Sequence, residues 1–174
     1  MIVTAGGSVS LRGTTAAARP ELAGVVEQDR LRSFGAGGGT INGVLQERIV
    51  RSSVDGTLAF YYRIKELTGG SIRRHIAFFE WPATLRAVDM DYRVDGLGEV
   101  GPFVGSAATP MRFDFDTVRP ATGVTPTMLS RFMFIKMVTG LGHPVVTGWD
   151  EGGRLLIVDT DWNAHFANCF RPIA

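Results

Sequence analysis

Cysteine is almost absent from this 174-residue chain, whose single thiol is Cys169. One thiol cannot form an intrachain disulfide and supplies too few ligands for a thiolate zinc site. The stability of the fold must therefore come from packing rather than from cross-links. A free thiol is compatible with a reducing compartment, but a secreted domain of this size also folds without bridges, so cysteine usage leaves the compartment open.

Long apolar runs and targeting segments are also missing. The densest apolar stretch, residues 132–138, is interrupted by Lys136 and is much shorter than the roughly 20 residues that a membrane helix needs. Residues 1–7 contain neither a basic leader nor an apolar core, so we expect no secretory signal in this sequence. The residues alone thus predict no membrane span and leave both an exported and a cytoplasmic location open.

Neither sign of charge is in excess. The 18 basic and 17 acidic side chains give a net charge of +1, and the two signs are scattered along the chain. This pattern lacks the basic stripe that follows a nucleic-acid backbone, so we expect no nucleic-acid partner. With 45% hydrophobic and 20% charged residues, the composition is typical of one globular domain and excludes whole-chain disorder.

From Thr40 onward, apolar and polar residues alternate with a period of two, as in strands whose side chains point to opposite faces. The clearest run places Leu58, Phe60, Tyr62 and Ile64 on one face and Ala59, Tyr61, Arg63 and Lys65 on the other. Helical periodicity is weak and is confined to residues 16–25. We predict an all-β fold of about eight strands, an antiparallel β-sandwich or jelly roll, with a closed β-barrel as the alternative.

Two strand predictions are specific. The tight-turn pair Asp55-Gly56 predicts a hairpin between residues 43–51 and 57–65. Residues 130–138 are apolar on both faces apart from two basic residues, which predicts a strand in the middle of a sheet. Further strands are predicted within residues 72–79, 88–94, 111–116, 154–159 and 165–171.

Residues 1–39 differ in composition from the rest. They are rich in glycine, alanine and threonine, contain two apolar islands at 22–26 and 31–34, and end in a glycine-rich run. This composition predicts an N-terminal arm with a flexible joint at 1–39, followed by a β-sandwich domain at 40–174. Because such islands can add to a neighbour's sheet, we expect a homo-oligomer formed through the arm or through sheet edges.

Residues 96–101 satisfy the nucleotide-binding pattern G-x-G-x-x-G. That chemistry needs the third glycine to open a helix whose N-terminus holds a pyrophosphate. Pro102 and Pro110 prevent such a helix. We therefore predict a glycine-rich loop between strands.

No catalytic residue is predicted. Ser130, His143 and Asp150 supply the residue types of a nucleophilic triad, but no nucleophile elbow surrounds the serine. Together with His75 and His165, His143 also lacks the short spacing of a zinc site.

Aspartates recur in pairs two residues apart, which places both carboxylates on one strand face, roughly 7 Å apart. We favour a solvated face on which arginines pair with these acids across strands. The arginines are Arg63, Arg73, Arg93 and Arg112. The alternative is a calcium site built from carboxylate oxygens, although no twelve-residue calcium loop is present. Its ligands would be Asp89, Asp91, Asp114 and Asp116. No other cofactor is predicted.

The tryptophans Trp81, Trp149 and Trp162 all adjoin polar or turn residues. Exposed indoles in such positions stack on sugars, so the three are the candidate ligand-binding residues for a glycan. The interpretation that we favour is a rim tryptophan whose indole nitrogen keeps a hydrogen bond at the end of a sheet.

Several stretches resemble a group of bacterial secreted β-sandwich proteins that carry a C-terminal PEP-CTERM sorting signal. The likeness extends loosely over residues 20–172 and includes the hairpin motif G-T-L-A-F-Y-Y. The matching stretches are 20–26, 39–51, 56–64, 93–98 and 170–172. The resemblance implies an exported or surface-associated, non-catalytic domain of a matrix or biofilm. The sequence stops at Ala174, where that group continues into a Pro-Glu-Pro motif, an apolar helix and a basic tail.

Four functions follow as hypotheses. The leading one is a non-enzymatic structural or adhesive protein that self-assembles. The second is a carbohydrate-binding sandwich that uses the tryptophans. The third is a small β-barrel enzyme for an apolar molecule, with His75, Glu80 or Asp91 as acid or base in an aromatic cavity. The fourth is a coat component of a phage or particle, because jelly rolls often build shells.

Overall fold

A computed structural model describes residues 1–35, 41–72, 75–82, 85, 87–115, 123–140, 146–158 and 164–173. Within these ranges the chain forms twelve strands and one 3₁₀ turn, Pro20–Leu22. The strands are β1 (Ile2–Thr4), β2 (Ser8–Ser10), β3 (Gly24–Phe34), β4 (Asn42–Ser52), β5 (Leu58–Thr68), β6 (His75–Phe79), β7 (Ala87–Tyr92), β8 (Val104–Ser106), β9 (Met111–Asp114), β10 (Met133–Met137), β11 (Gly148–Val158) and β12 (Ala164–Ile173).

The strands form two six-stranded antiparallel sheets, which confirms the predicted all-β sandwich. The first sheet has the order β1-β7-β10-β5-β4-β3 and the second has the order β12-β11-β6-β9-β8-β2. Each sheet has two edge strands among the described residues, so neither closes into the barrel that was the alternative. The described residues contain no helix long and apolar enough to cross a membrane.

The two specific strand predictions are confirmed. β4 and β5 form the predicted hairpin, with Asp55 in the turn between them, and β10 lies between β7 and β5 in the middle of the first sheet. Twelve strands replace the predicted eight. Of the four additional strands, β3 lies in the segment predicted as an arm, and β1, β2 and β8 have three residues each. Strands of that length are too short to show an alternation in sequence.

Residues 2–34, for which the sequence predicts an arm, supply three strands to the two sheets. β1 pairs with β7, β2 with β8, and β3 with β4. Residues 16–25, where the sequence has weak helical periodicity, contain only turns and the short 3₁₀ turn before β3 begins. The predicted joint and boundary near residue 39 lie outside the described residues.

Hydrophobic residues are buried on both faces of the first sheet. Its inner face contributes Phe60, Tyr62 and Ile135 to the main core between the sheets. On its outer face, Tyr61, Phe132 and Phe134 form a second cluster, which Leu22 of the 3₁₀ turn covers. The N-terminal segment thus shields aromatic rings that alternation alone would leave in solvent.

The two sides of the sandwich differ in length. On one side β1 lies beside β2, and on the other β3 lies beside β12. β1 and β2 have three residues each, whereas β3 has eleven and β12 has ten. We call the β3/β12 side the long side.

Candidate functional site

The two described tryptophans are half-buried and pack against the main core. Trp81 contacts Phe60 edge to face, with the ring centroids 5.3 Å apart, and lines a cleft of about 260 Å³. Trp149 packs against Phe170 at 5.0 Å, and its indole N–H donates to Glu27 Oε2 at 3.1 Å. Trp162 lies outside the described residues. A glycan platform on these indoles stays a prediction.

The structure does not bring the predicted calcium ligands together. Asp89 and Asp91 lie on the outer face of the first sheet, since Val88 and Met90 between them belong to the core. Asp114 follows the core residue Phe113 in the second sheet and therefore lies on the opposite outer face. Asp116 lies outside the described residues, which contain no cluster of three or more His, Cys, Asp or Glu suited to a metal ion.

The described aspartates already have partners within the chain. Asp89 is buried and accepts from the guanidinium of Arg19 and from the amino group of Met1. Although burial opposes the shift, these hydrogen bonds lower the pKa of Asp89. Asp91 accepts from the backbone N–H of Gly13 at 2.9 Å. Calcium binding stays a prediction.

Arginines pair with acids differently from the prediction. Arg93 binds Asp95 and Arg112 binds Asp114, each two residues along the same chain segment rather than across strands. Arg63 forms no such pair among the described residues, and Arg73 lies outside them. The pairing differs because side chains two residues apart point to the same side of an extended chain. A long guanidinium side chain therefore reaches the nearby carboxylate of its own segment and does not need one from a neighbouring strand.

The residues of the suggested triad have other contacts. The Ser130 hydroxyl is fully buried and accepts from the backbone N–H of Ile64 at 2.7 Å. Asp150 binds Arg171, and His143 lies outside the described residues. Of the three residues in the enzyme hypothesis, Asp91 lies on the outer face of the first sheet and not in the core.

The G-x-G-x-x-G segment is a loop, as predicted. Gly98 has φ +99°, and a Cβ at this position would lie 2.2 Å from the carbonyl oxygen of Ser130. A Cβ on Gly101 would lie 2.4 Å from the ring of Tyr92. These glycines serve close packing, and Val100 pairs with Ser130 in a short parallel bridge.

A carboxyl group, that of Glu47, is buried in the sandwich at the long side. Glu47 on β4 is fully buried, binds the guanidinium of Arg32 and accepts from the backbone N–H of Phe170 at 3.0 Å. Burial raises its pKa in spite of these contacts. Burial likewise raises the pKa of the Cys169 thiol, which therefore stays protonated.

The outer face of the first sheet contains a groove of about 320 Å³ that sequence reasoning missed. Its floor consists of Tyr61, Val50 and Phe132 from adjacent strands and the segment before β10. Leu97 of the glycine-rich loop and Val26 of β3 lie at its rim and are 65% and 49% exposed. We call this feature the outer-face groove.

Arginines converge on the groove. Arg48 and Arg93 line it, and Arg48 and Arg63 each lie against the Phe132 ring, with guanidinium carbons 5.0 Å and 5.1 Å from its centroid. Arg48 binds Asp29, and Arg93 binds Asp95. A sequence signal for the groove was present. Tyr61, Phe132 and Phe134 are aromatic residues at positions where the solvent-exposed face of a strand usually has polar residues.

Comparison with family models, with curated proteins and with solved structures finds no match to this chain. A proposal for function therefore depends on the contacts described above.

Proposed function

We propose that this chain is a non-enzymatic structural β-sandwich that assembles with further copies of itself through the long side. The observation that supports this most directly is the pair of adjacent long edge strands, β3 and β12. Among the described residues, each pairs with a neighbouring strand on one side only. The backbone N–H and C=O of Phe170 bind Glu47 and Tyr62 within the chain, but the other groups on the open side of each strand are offered to an added strand.

The side chains on these strands favour association. Five large apolar residues of β3 and β12 are exposed by 44–66%. They are Val25, Val26, Leu31, Phe166 and Ile173. Burying them against a second copy removes apolar surface from water and stabilises the assembly.

Charge on β3 does not oppose a second copy. Natural edge strands avoid pairing by presenting unpaired charges. Here each of the four charged residues of β3 has a partner in the same chain. Glu27 binds Arg51, Asp29 binds Arg48, Arg30 binds Glu151, and Arg32 binds Glu47. A neighbouring strand therefore meets neutralised pairs and exposed aliphatic groups.

The resemblance to PEP-CTERM-sorted sandwiches supports a surface or matrix location for such an assembly. A domain that self-associates by its edges suits an extracellular matrix, where it links one copy to the next. The second hypothesis, a carbohydrate-binding module that uses Trp81 and Trp149, has less support because both indoles pack into the core.

The test is size-exclusion chromatography with multi-angle light scattering on the wild-type protein, on Val25→Lys/Leu31→Lys and on the control Ile2→Lys. Val25 and Ile2 are both 66% exposed, but Ile2 lies on β1, at the opposite edge of the first sheet from β3. We expect the wild-type protein and the control to form dimers or larger species at micromolar concentrations and the edge variant to be monomeric.

Circular dichroism verifies that all three proteins fold. A wild-type protein that stays monomeric at every concentration overturns the proposal. Equal assembly of the edge variant and the control also overturns it.

A further inference from the structure

We infer that the partner of β3 is β3 of a second copy, and that the two strands pair antiparallel about their middle across a two-fold axis. This pairing rests on the proposed assembly through the long side. It adds which strand of the second copy is bound and in which direction that strand runs.

Of the four edge strands that the described residues form, two are long. β1 and β2 have three residues each, too few to hold a second copy by backbone hydrogen bonds. β3 has eleven residues, a length of about 36 Å at 3.3 Å per residue, and β12 has ten. The choice of partner strand is therefore between β3 and β12.

The open side of β12 is partly occupied by the chain itself. The backbone N–H of Phe170 donates to Glu47 Oε1 at 3.0 Å, and its C=O accepts from the Tyr62 hydroxyl at 2.8 Å. Backbone groups of alternate residues point to the same side of a strand, so Pro172 also faces this side, where it has no N–H to donate. The end of β12 from Phe170 onward is thus poorly suited to pair with an added strand.

The open side of β3 carries no such obstruction within the described residues. β3 contains no proline, and no described side chain binds its backbone N–H or C=O groups. The irregularity between Val26 and Gln28 leaves residues 28–34 in unbroken register with β4. Val25 and Leu31, near the two ends of the strand, are 66% and 51% exposed. β3 therefore combines a free backbone edge with apolar surface.

The order of charges along β3 favours antiparallel self-pairing. Glu27 and Asp29 come before Arg30 and Arg32. When two such strands run antiparallel about their middle, the acidic half of each lies beside the basic half of the other. Parallel strands would place like charges together, and β12 contains no acidic residue to match the arginines. Each charge already has a partner in its own chain, so this complementarity sets the direction of pairing more than its strength.

Pairing of a strand with its own copy has a consequence for the size of the assembly. Both copies use the same surface, so the contact is closed and by itself joins two molecules. The two first sheets then become one continuous sheet through their β3 edges.

Disulfide cross-linking at the middle of β3 tests this pairing. The one native thiol, Cys169, is buried, so an introduced surface cysteine is the reactive one. Opposed residues of antiparallel strands have Cα atoms about 5 Å apart, and a disulfide joins Cα atoms about 4.4–6.8 Å apart. The variants are Gln28→Cys, Asp29→Cys and Arg30→Cys, because only a residue close to the axis meets its own copy.

We expect at least one of these three variants to give, after oxidation, a covalent species of twice the monomer mass that reduction removes. Asn168→Cys is the matched control, since Asn168 is an exposed residue in the middle of β12. On the same non-reducing gel we expect the control to stay monomeric. Circular dichroism verifies that each variant folds.

Light scattering on the wild-type protein under the same conditions separates this pairing from the proposed assembly. If the protein assembles but no β3 cysteine cross-links, or if Asn168→Cys cross-links equally well, the β3 pairing is overturned and the assembly stands. A wild-type protein that is monomeric overturns both.

Discussion

Glu47 and Arg32 form an ion pair across β4 and β3 in which the carboxylate is completely buried and the guanidinium side chain is 17% exposed. The same carboxylate accepts from the backbone N–H of Phe170 on β12. One acid of the first sheet thus binds its neighbouring strand and the edge strand of the second sheet. This contact joins the two sheets at the long side.

We predict that Glu47→Ala lowers the free energy of unfolding by about 3 kcal/mol. The substitution leaves the Phe170 N–H without an acceptor and removes the buried partner of Arg32, which keeps only the exposed Glu151. Glu47→Gln retains an acceptor for that N–H and should cost about half as much. Urea denaturation measures both. Glu66→Ala is the control, since the Glu66 side chain is 62% exposed, and an equal loss in the control contradicts the prediction.

The raised pKa of Glu47 predicts a pH dependence of stability. Between its ordinary value of 4.5 and the raised value, folded Glu47 keeps a proton that the unfolded chain has released. The free energy of unfolding therefore falls as pH rises through that interval. Within that pH interval, we expect the free energy of unfolding of the wild-type protein to fall relative to that of Glu47→Gln. Above the interval, we expect the difference between the two free energies to be constant. A difference that is flat across the acidic range contradicts this.

Lys136 and Asp55 should show the opposite dependence. The Lys136 ammonium is 2.7 Å from Asp55 Oδ2, and Lys136 is 6% exposed. Although burial opposes the shift, hydrogen bonds from Lys136 and Thr57 lower the pKa of Asp55. Its contribution to stability is present above the ordinary value of 3.8 and is lost as pH falls below it.

For this pair we predict that Asp55→Asn costs about 1–2 kcal/mol at neutral pH by leaving a buried ammonium group unpaired. Adding Lys136→Met should restore most of the loss, since a buried methionine needs no partner. A double variant as unstable as Asp55→Asn in thermal denaturation would show that the ion pair is not the cause.

Alanine substitutions at two glycines with positive φ distinguish the cost of backbone strain from the cost of steric overlap. Gly98 has φ +99°, with a Cβ position 2.2 Å from the Ser130 carbonyl oxygen, whereas Gly56 has φ +70° and open space. We predict that Gly56→Ala costs about 1 kcal/mol from strain alone. Gly98→Ala should cost more than about 2 kcal/mol, because the backbone of the loop must also move. Equal chemical denaturation midpoints would contradict the predicted overlap.

The sequence by itself determined the β-sandwich class, the β4–β5 hairpin and the central place of β10. Each depends on a local signal: a period of two, the Asp55-Gly56 turn, or a run that is apolar on both faces. The loop at 96–101 was also predictable, because the prolines that follow it exclude a helix. These features need no knowledge of which strand pairs with which.

Only the tertiary structure decided the place of residues 2–34 in the sheets, the burial of Glu47 and the partners of the charged residues. The sequence does not distinguish the buried Arg63 from a solvent-exposed arginine. The period-two pattern predicts on which face of the strand a side chain lies, but not which residues cover that face. The pairing of distant strands and the cover that Leu22 provides arise from contacts between residues far apart in the chain. Those contacts produced both the outer-face groove and the open long side.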